Sequence, residues 1–259
     1  MATNALTLAG LLIVVGVFAG YFGMIFVLHR FTYRTWVFHA AVLAAMALAV
    51  TGVALGGNLA LGGVVLALGA AWFIATRREL GIHGSRAINV RVGDPMPAFA
   101  AVTTDGTRIT ERELAQAAPA LLVLYRGWWC PSSKVQLDDL RSHYEELAGL
   151  GVRLYAGSVD GAEESAPMQE HVGSAITILC GVDVSFLDAV GVRDQRGAPW
   201  YDRLLFGAAS QPIAMPSAIG LGPDGRITLA ERSTRVDDRP SPVGLIASMT
   251  VTMSKAGAG

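Results

Sequence analysis

Charge is nearly missing from the first 76 residues. Arg30 and Arg34 are the only ionised side chains there, and the other 18 of the 20 basic residues and all 21 acidic ones begin at Arg77. A chain so divided is built for two physical environments. Basic runs are also missing: none exceeds the Arg77–Arg78 pair, and the formal net charge is −1. That excludes the electrostatic footprint of nucleic-acid binding. Cysteine is scarce, with only Cys130 and Cys180, which excludes a disulfide framework. No Cys/His cluster has metal-ligand spacing, so neither a metal nor a cofactor is expected.

What fills the uncharged third is hydrophobic. A helix needs roughly 20 apolar residues to cross the hydrocarbon core. The stretches 5–28, 36–56 and 58–76 each supply that length, and they are broken by His29–Thr35 and by Gly56-Gly57-Asn58. A cleaved leader fits the first stretch poorly, because positive charge follows it and none precedes it. Residues 1–78 therefore read as a three-helix transmembrane anchor, 79–90 as a linker, 91–255 as a folded domain and 256–259 as a tail.

The basic residues suggest an orientation. Arg30 and Arg34 lie in the first loop, and Arg77, Arg78 and Arg86 follow the third span. With three spans, both clusters fall on one side, which is cytoplasmic by the positive-inside rule. The expected location is a bacterial-type inner membrane, multi-pass, with the domain in the cytoplasm. Gly16, Gly20, Gly23, Gly56, Gly57, Gly62, Gly63 and Gly69 suit close helix packing in lipid. His29 and His39 fall near one membrane face and read as polar edge residues rather than haem ligands.

The remainder alternates strands with helices. Residues 97–104 run into the turn Asp105-Gly106. The run 119–125 (PALLVLY) is apolar throughout, as in a strand buried on both faces. Residues 130–150 carry Val135, Leu137, Leu140, Tyr144, Leu147 and Leu150 at helical spacing. Strands follow at 152–158 and 175–179, with short helices at 166–172 and 185–190. Strands 217–221 and 226–230 flank the hairpin Pro223-Asp224-Gly225, and 242–254 closes with a helix. The class is α/β: a central mixed sheet flanked by helices.

The chemistry concentrates in Tyr125-Arg126-Gly127-Trp128-Trp129-Cys130-Pro131-Ser132-Ser133. A buried strand ends, a short loop follows, and a cysteine opens a helix, with Pro131 in its first turn. Unpaired N–H groups and the helix dipole there favour thiolate over thiol. Arg126 adds to this if its side chain turns inward. Cys130 is the candidate catalytic nucleophile; the competing reading is a buried, inert cysteine. Of Trp128 and Trp129, one is expected in the core and the other exposed near the sulfur. His143 and His171 are expected to be solvated. The long connection 193–215 reads either as a lid or docking surface or as a surface insertion.

The segment LLVLYRGWWCPSS resembles the active-site segment of the alkyl hydroperoxide reductase/thiol-specific antioxidant (AhpC/TSA) family, in its peroxiredoxin-like redoxin branch. GDPMPAFAAVTTDGTRIT, VRLYAGSVD and MPSAIGLGPDGRI are similar to that family's first hairpin, next strand and late hairpin. The resemblance implies a thioredoxin-like fold. It also implies a cis-proline before the late strand and beside the cysteine, at Pro216. It departs from the family in three places. Ser133 stands where the dithiol pattern has its second cysteine, Gly127 where peroxiredoxins carry Thr or Ser, and Val123 where they carry Pro. Trp129, Ser132 and Ser133 are left to line a different pocket.

Cys180 ends a strand and is the candidate resolving thiol, if β-sheet order brings it to Cys130; otherwise it is a small core filler. Two function classes follow. One is a membrane-anchored thiol redox protein that uses a single cysteine to reduce a peroxide or a disulfide, recycled by a thiol reductant. The other is a non-catalytic accessory subunit that keeps the thioredoxin fold to dock partner proteins of a membrane complex.

Overall fold

A computed structural model describes residues 2–28, 36–78, 88–198, 202–204, 207–208, 212–233 and 239–256. The chain forms two compact units, Met1–Gly81 and Ile82–Gly259.

The N-terminal unit is three helices: α1 (Ala2–Phe26), α2 (Trp36–Ala54) and α3 (Leu59–Arg78). Each is long and apolar enough to span a membrane. Small residues set some of the packing. A Cβ on Gly10 would lie 2.7 Å from the Ala45 carbonyl oxygen, so α1 and α2 approach backbone to backbone. Gly62 meets Val53 and Gly69 meets Met46. Gly16, Gly20, Gly23, Gly56 and Gly63 have open space where a Cβ would stand, so the small-residue stripe is narrower than the sequence suggests. Asn58 caps α3 through Leu61 N–H at 3.0 Å, and its own N–H reaches Asn4 Oδ1 at 2.9 Å. Phe18, Tyr21 and Phe38 surround the buried Trp72, with Phe18 and Tyr21 edge-on at 5.2 and 5.4 Å. His39 packs edge-on against Trp72 and beside Phe73; His29, Arg30 and Arg34 lie outside the described residues.

The C-terminal unit is a seven-stranded sheet. Its strands are β1 (Ala100–Thr103), β2 (Arg108–Thr110), β3 (Ala120–Leu124), β4 (Arg153–Gly157), β5 (Thr177–Cys180), β8 (Ser217–Leu221) and β9 (Ile227–Arg232). The order is β2-β1-β5-β4-β3-β8-β9. The three central strands, β5, β4 and β3, are parallel, and antiparallel hairpins flank them on both sides. A two-stranded ribbon, β6 (Arg193–Asp194) with β7 (Ile213–Ala214), stands apart.

Strand β3 explains the layering. Its residues are all buried and alternate between faces. Leu122 and Leu124 join Phe99, Leu114, Phe186 and Ile219 on one side. Leu121 and Val123 join Leu137, Leu140, Met168 and Met249 on the other. The first face is covered by α4 (Glu111–Gln116) and α8 (Val184–Val190). The second is covered by α5 (Pro131–Ser142), α6 (Tyr144–Gly149), α7 (Ala162–Val172) and α9 (Pro242–Ala256).

The expected single helix over 130–150 is two. Ser142 Oγ donates to the Asp139 carbonyl at 2.6 Å, and His143 Nδ1 lies 2.9 Å from the same oxygen. Side chains that bond the last turn's carbonyls compete with the helix ladder and end it. Strand β2 is the second arm of the hairpin expected at Asp105-Gly106; helix α4 and the ribbon were not foreseen, each being too short to leave a periodic signature.

Candidate active site

Cys130 sits where a core strand hands over to a helix. After Leu124, Tyr125 N–H still pairs with the Gly157 carbonyl at 2.9 Å, and the chain then turns through Arg126–Trp129. Cys130 is the N-cap of α5, with extended backbone and Pro131 in the first helical turn. Its carbonyl accepts from Ser133 and Lys134 N–H, which leaves the side chain free at the positive end of the helix.

Two guanidiniums face the sulfur. Arg126 Nη1 lies 3.9 Å and Arg239 Nη2 3.7 Å from Cys130 Sγ. Both arginines are only 4% exposed, and neither is loosely held. Arg126 pairs with Asp202 Oδ2 at 3.3 Å and lies over the Trp129 ring, 4.9 Å from its centroid. Arg239 donates to Gln136 Oε1 at 2.6 Å and to Ser133 Oγ at 3.4 Å. Burial is the largest single influence on the Cys130 thiol and pushes its pKa up. Arg126, Arg239 and hydrogen bonding from Ser133 together outweigh it, so the pKa lies below the ordinary thiol value.

Ser133 is therefore more than a lost cysteine. Its buried hydroxyl also takes the Arg126 backbone N–H at 3.4 Å, so it ties the turn, Arg239 and the sulfur together. Gly127 has a comparable reason. Its φ is +150°, and the space of a Cβ is taken by Trp129 Nε1 and Asp160 Oδ2. No hydroxyl-bearing side chain fits there. Trp129 is buried with Cys130, beneath Ala198, Ala208 and Ile213 from the 193–214 segment. Trp128 is the half-buried member of the pair; Lys134 Nζ lies 3.6 Å over its ring, and His171 meets its edge. His171 also reaches Asp138 at 2.9 Å, and His143 stays on α5's last turn, both partly exposed.

Cys180 and Cys130 form no disulfide in the structure. Strand β4 lies between β3 and β5; Cys180 closes β5, and Cys130 stands six residues beyond β3 at the start of α5. Both cysteines are free and buried, in different clusters. Burial pushes the Cys180 thiol up, and Ser165, Asp160 and Glu164 are its neighbours. Sheet order, on which the approach of the two cysteines was made to depend, places β4 between β3 and β5. Pro216 is corrected. The only cis bond among the described residues is Ala118–Pro119, so Met215–Pro216 is trans. Backbone bonds hold it on both sides, from Met215 N–H to Val192 and from Ser233 N–H to Pro216.

Sequence reasoning missed Arg239, Gln136 and Asp202. Arg239 is 109 residues from the sulfur it faces, and nothing in its neighbourhood sets it apart from the other arginines.

A sequence model of the AhpC/TSA family matches residues 92–230. No curated protein matches the chain. Among solved structures, a cysteine-to-serine mutant of peroxiredoxin 6 from Arenicola marina is 16% identical. Its TM-score is 0.54, over 64% of this chain and 75% of that one. Peroxidoxin BcpB from Mycobacterium tuberculosis is 18% identical, with a TM-score of 0.49 over 62% and 97%. At 16% identity the likeness to the Arenicola marina protein concerns the fold.

Proposed function

The chain belongs to the AhpC/TSA family, and on that footing we propose that it is a membrane-anchored thiol peroxidase whose nucleophile is Cys130. The observation that carries this reading is the sulfur at a helix N-terminus with two buried guanidiniums on it. An accessory fold has no need for that arrangement, since burying cations costs several kcal/mol each unless they are matched.

The reaction follows from the geometry. The Cys130 thiolate attacks one peroxide oxygen, and the O–O bond breaks. The leaving alkoxide takes a proton to become an alcohol, or water when the substrate is hydrogen peroxide. The sulfur becomes a sulfenic acid, oxidised by two electrons. Arg126 and Arg239 hold the thiolate beforehand and stabilise negative charge that develops on the oxygens. Trp129, Pro131 and Ser133 position the turn. Cys130 is only 2% exposed, which favours a small peroxide over a protein disulfide.

In this reading residues 1–78 anchor the chain, 79–90 link, and 91–255 form the redox domain. The basic clusters Arg30/Arg34 and Arg77/Arg78/Arg86 favour a cytoplasmic domain on an inner membrane, where thiol reductants are available. The test is peroxide consumption by the full chain in detergent with a thiol reductant. Wild type should consume peroxide and Cys130→Ala should not; equal rates would end this reading.

A further inference from the structure

Helix α9 packs Leu245 and Met249 into the core on one side of the sheet, with Ile246 and Met253 against it. Its exposed positions are Val243, Ala247, Thr250, Val251 and Ser254, which recur at helical spacing as one stripe. A surface helix ordinarily carries charged side chains on such a stripe. This one carries none: Pro242–Ser254 holds no charged residue, and Val243 and Val251 are 67% and 52% exposed. Nor do its hydroxyls call for water. Thr250 Oγ1 donates to the Ile246 carbonyl at 2.8 Å, and Ser254 Oγ donates to the Val251 carbonyl at 2.9 Å. Hydroxyls turned back on their own helix suit a face that leaves water.

A groove of about 970 Å³ runs beside this stripe, walled by Val92, Leu229, Ala247 and Val251 among others, with Thr228 and Thr252. Its threonines are satisfied in the same way. Thr228 Oγ1 donates to the Gly220 carbonyl at 3.3 Å and Thr252 Oγ1 to the Ser248 carbonyl at 3.0 Å. Among the described residues, the one charged side chain in the lining is Asp224, at the exposed hairpin tip, where its Oδ1 accepts the Arg226 backbone N–H at 3.1 Å. We propose that the stripe and groove seat the C-terminal unit on the lipid bilayer, with acyl chains filling the groove. The proposal rests on the membrane-anchored reading above. Chain continuity argues for lipid as the occupant. Val92, in the groove wall, stands 14 residues after Arg78, where the third membrane-length helix ends. At most about 50 Å of chain therefore separates the groove from the anchor. An apolar face held that near a bilayer is buried in the interface rather than left in water.

The test uses the full chain in vesicles of phosphatidylcholine and phosphatidylglycerol. Val251→Cys is labelled with a nitroxide, and its access to oxygen and to a water-soluble nickel chelate is measured by electron paramagnetic resonance. Cys130 and Cys180 are 2% and 0% exposed, and wild type carried through the same labelling gives the background. The oxygen-to-nickel ratio at 251 should exceed that at Glu146→Cys, an exposed position on α6, by roughly threefold or more. Adding Val243→Glu and Ala247→Glu should bring the ratio at 251 down to the Glu146 value. The unfolding midpoint should not move, since both positions are exposed. A label at Leu43→Cys, 58% exposed on α2, reports the anchor and should read hydrocarbon. Equal ratios at 251 and 146 would overturn the proposal, as would a lipid value at 251 that survives the two Glu substitutions. Low access to both reagents at 251 would overturn it too, because protein, a second copy included, then covers the stripe. A water value at 43 would instead defeat the membrane-anchored reading.

Discussion

Cys130 owes its character to residues that meet only after folding. The helix start is local, but Arg239 arrives from beyond the last strand and Asp202 from the long connection. Arg126 and Arg239 are the cations that hold the thiol low against burial. Replacing Arg239 with Gln should therefore raise its pKa, seen as a shift to higher pH in the thiolate's ultraviolet titration; no shift would remove Arg239 from the site. The sign for stability follows. The unfolded thiol titrates near ~8.5, and the folded one lower. The thiolate's contribution is complete above the unfolded value and is lost as pH falls through the folded value.

At the scale of elements, the β3–α5 turn does the positioning. Pro131 in the first helical turn and the apolar run ending at Leu124 made both the strand and the helix legible in the sequence. The conformation between them was not legible, because it depends on Asp160 and Trp129 filling the space beside Gly127. The family pattern suggests that a hydroxyl at 127 would improve the site. The structure predicts the opposite for Gly127→Ser: a loss of about 1–3 kcal/mol, read as a lower unfolding midpoint with no gain in peroxide turnover. A stable, faster variant would contradict that account of the turn. The break at His143 was hidden for a similar reason. Apolar spacing continues smoothly from Leu140 to Leu147, and only side-chain bonds to the Asp139 carbonyl end the helix.

At the scale of the whole molecule, composition was informative and long-range order was not. The charge-free third foretold three apolar helices, and alternating strand and helix patterns foretold the mixed sheet with helices on both faces. Strand order could not be read. Cys180 closes β5 and Cys130 follows the turn after β3, and the sheet places β4 between those two parallel strands. Contacts spanning a hundred residues, such as Arg239 to Gln136, leave no local trace. The orientation proposed here makes its own prediction. In intact cells stripped of outer barriers, external protease should leave the C-terminal unit uncut, and in inverted vesicles it should remove it. The reverse pattern would place the domain on the other side.

The central claim is that Cys130 is the atom that meets the oxidant, and one measurement addresses it directly. The reduced full chain is treated with one equivalent of hydrogen peroxide in the presence of a sulfenate-trapping dione, and the peptides are analysed by mass spectrometry. The account predicts an adduct on Cys130, none on Cys180, and no bridge between them. A Cys130 left unmodified, or an adduct carried by Cys180 instead, would contradict it.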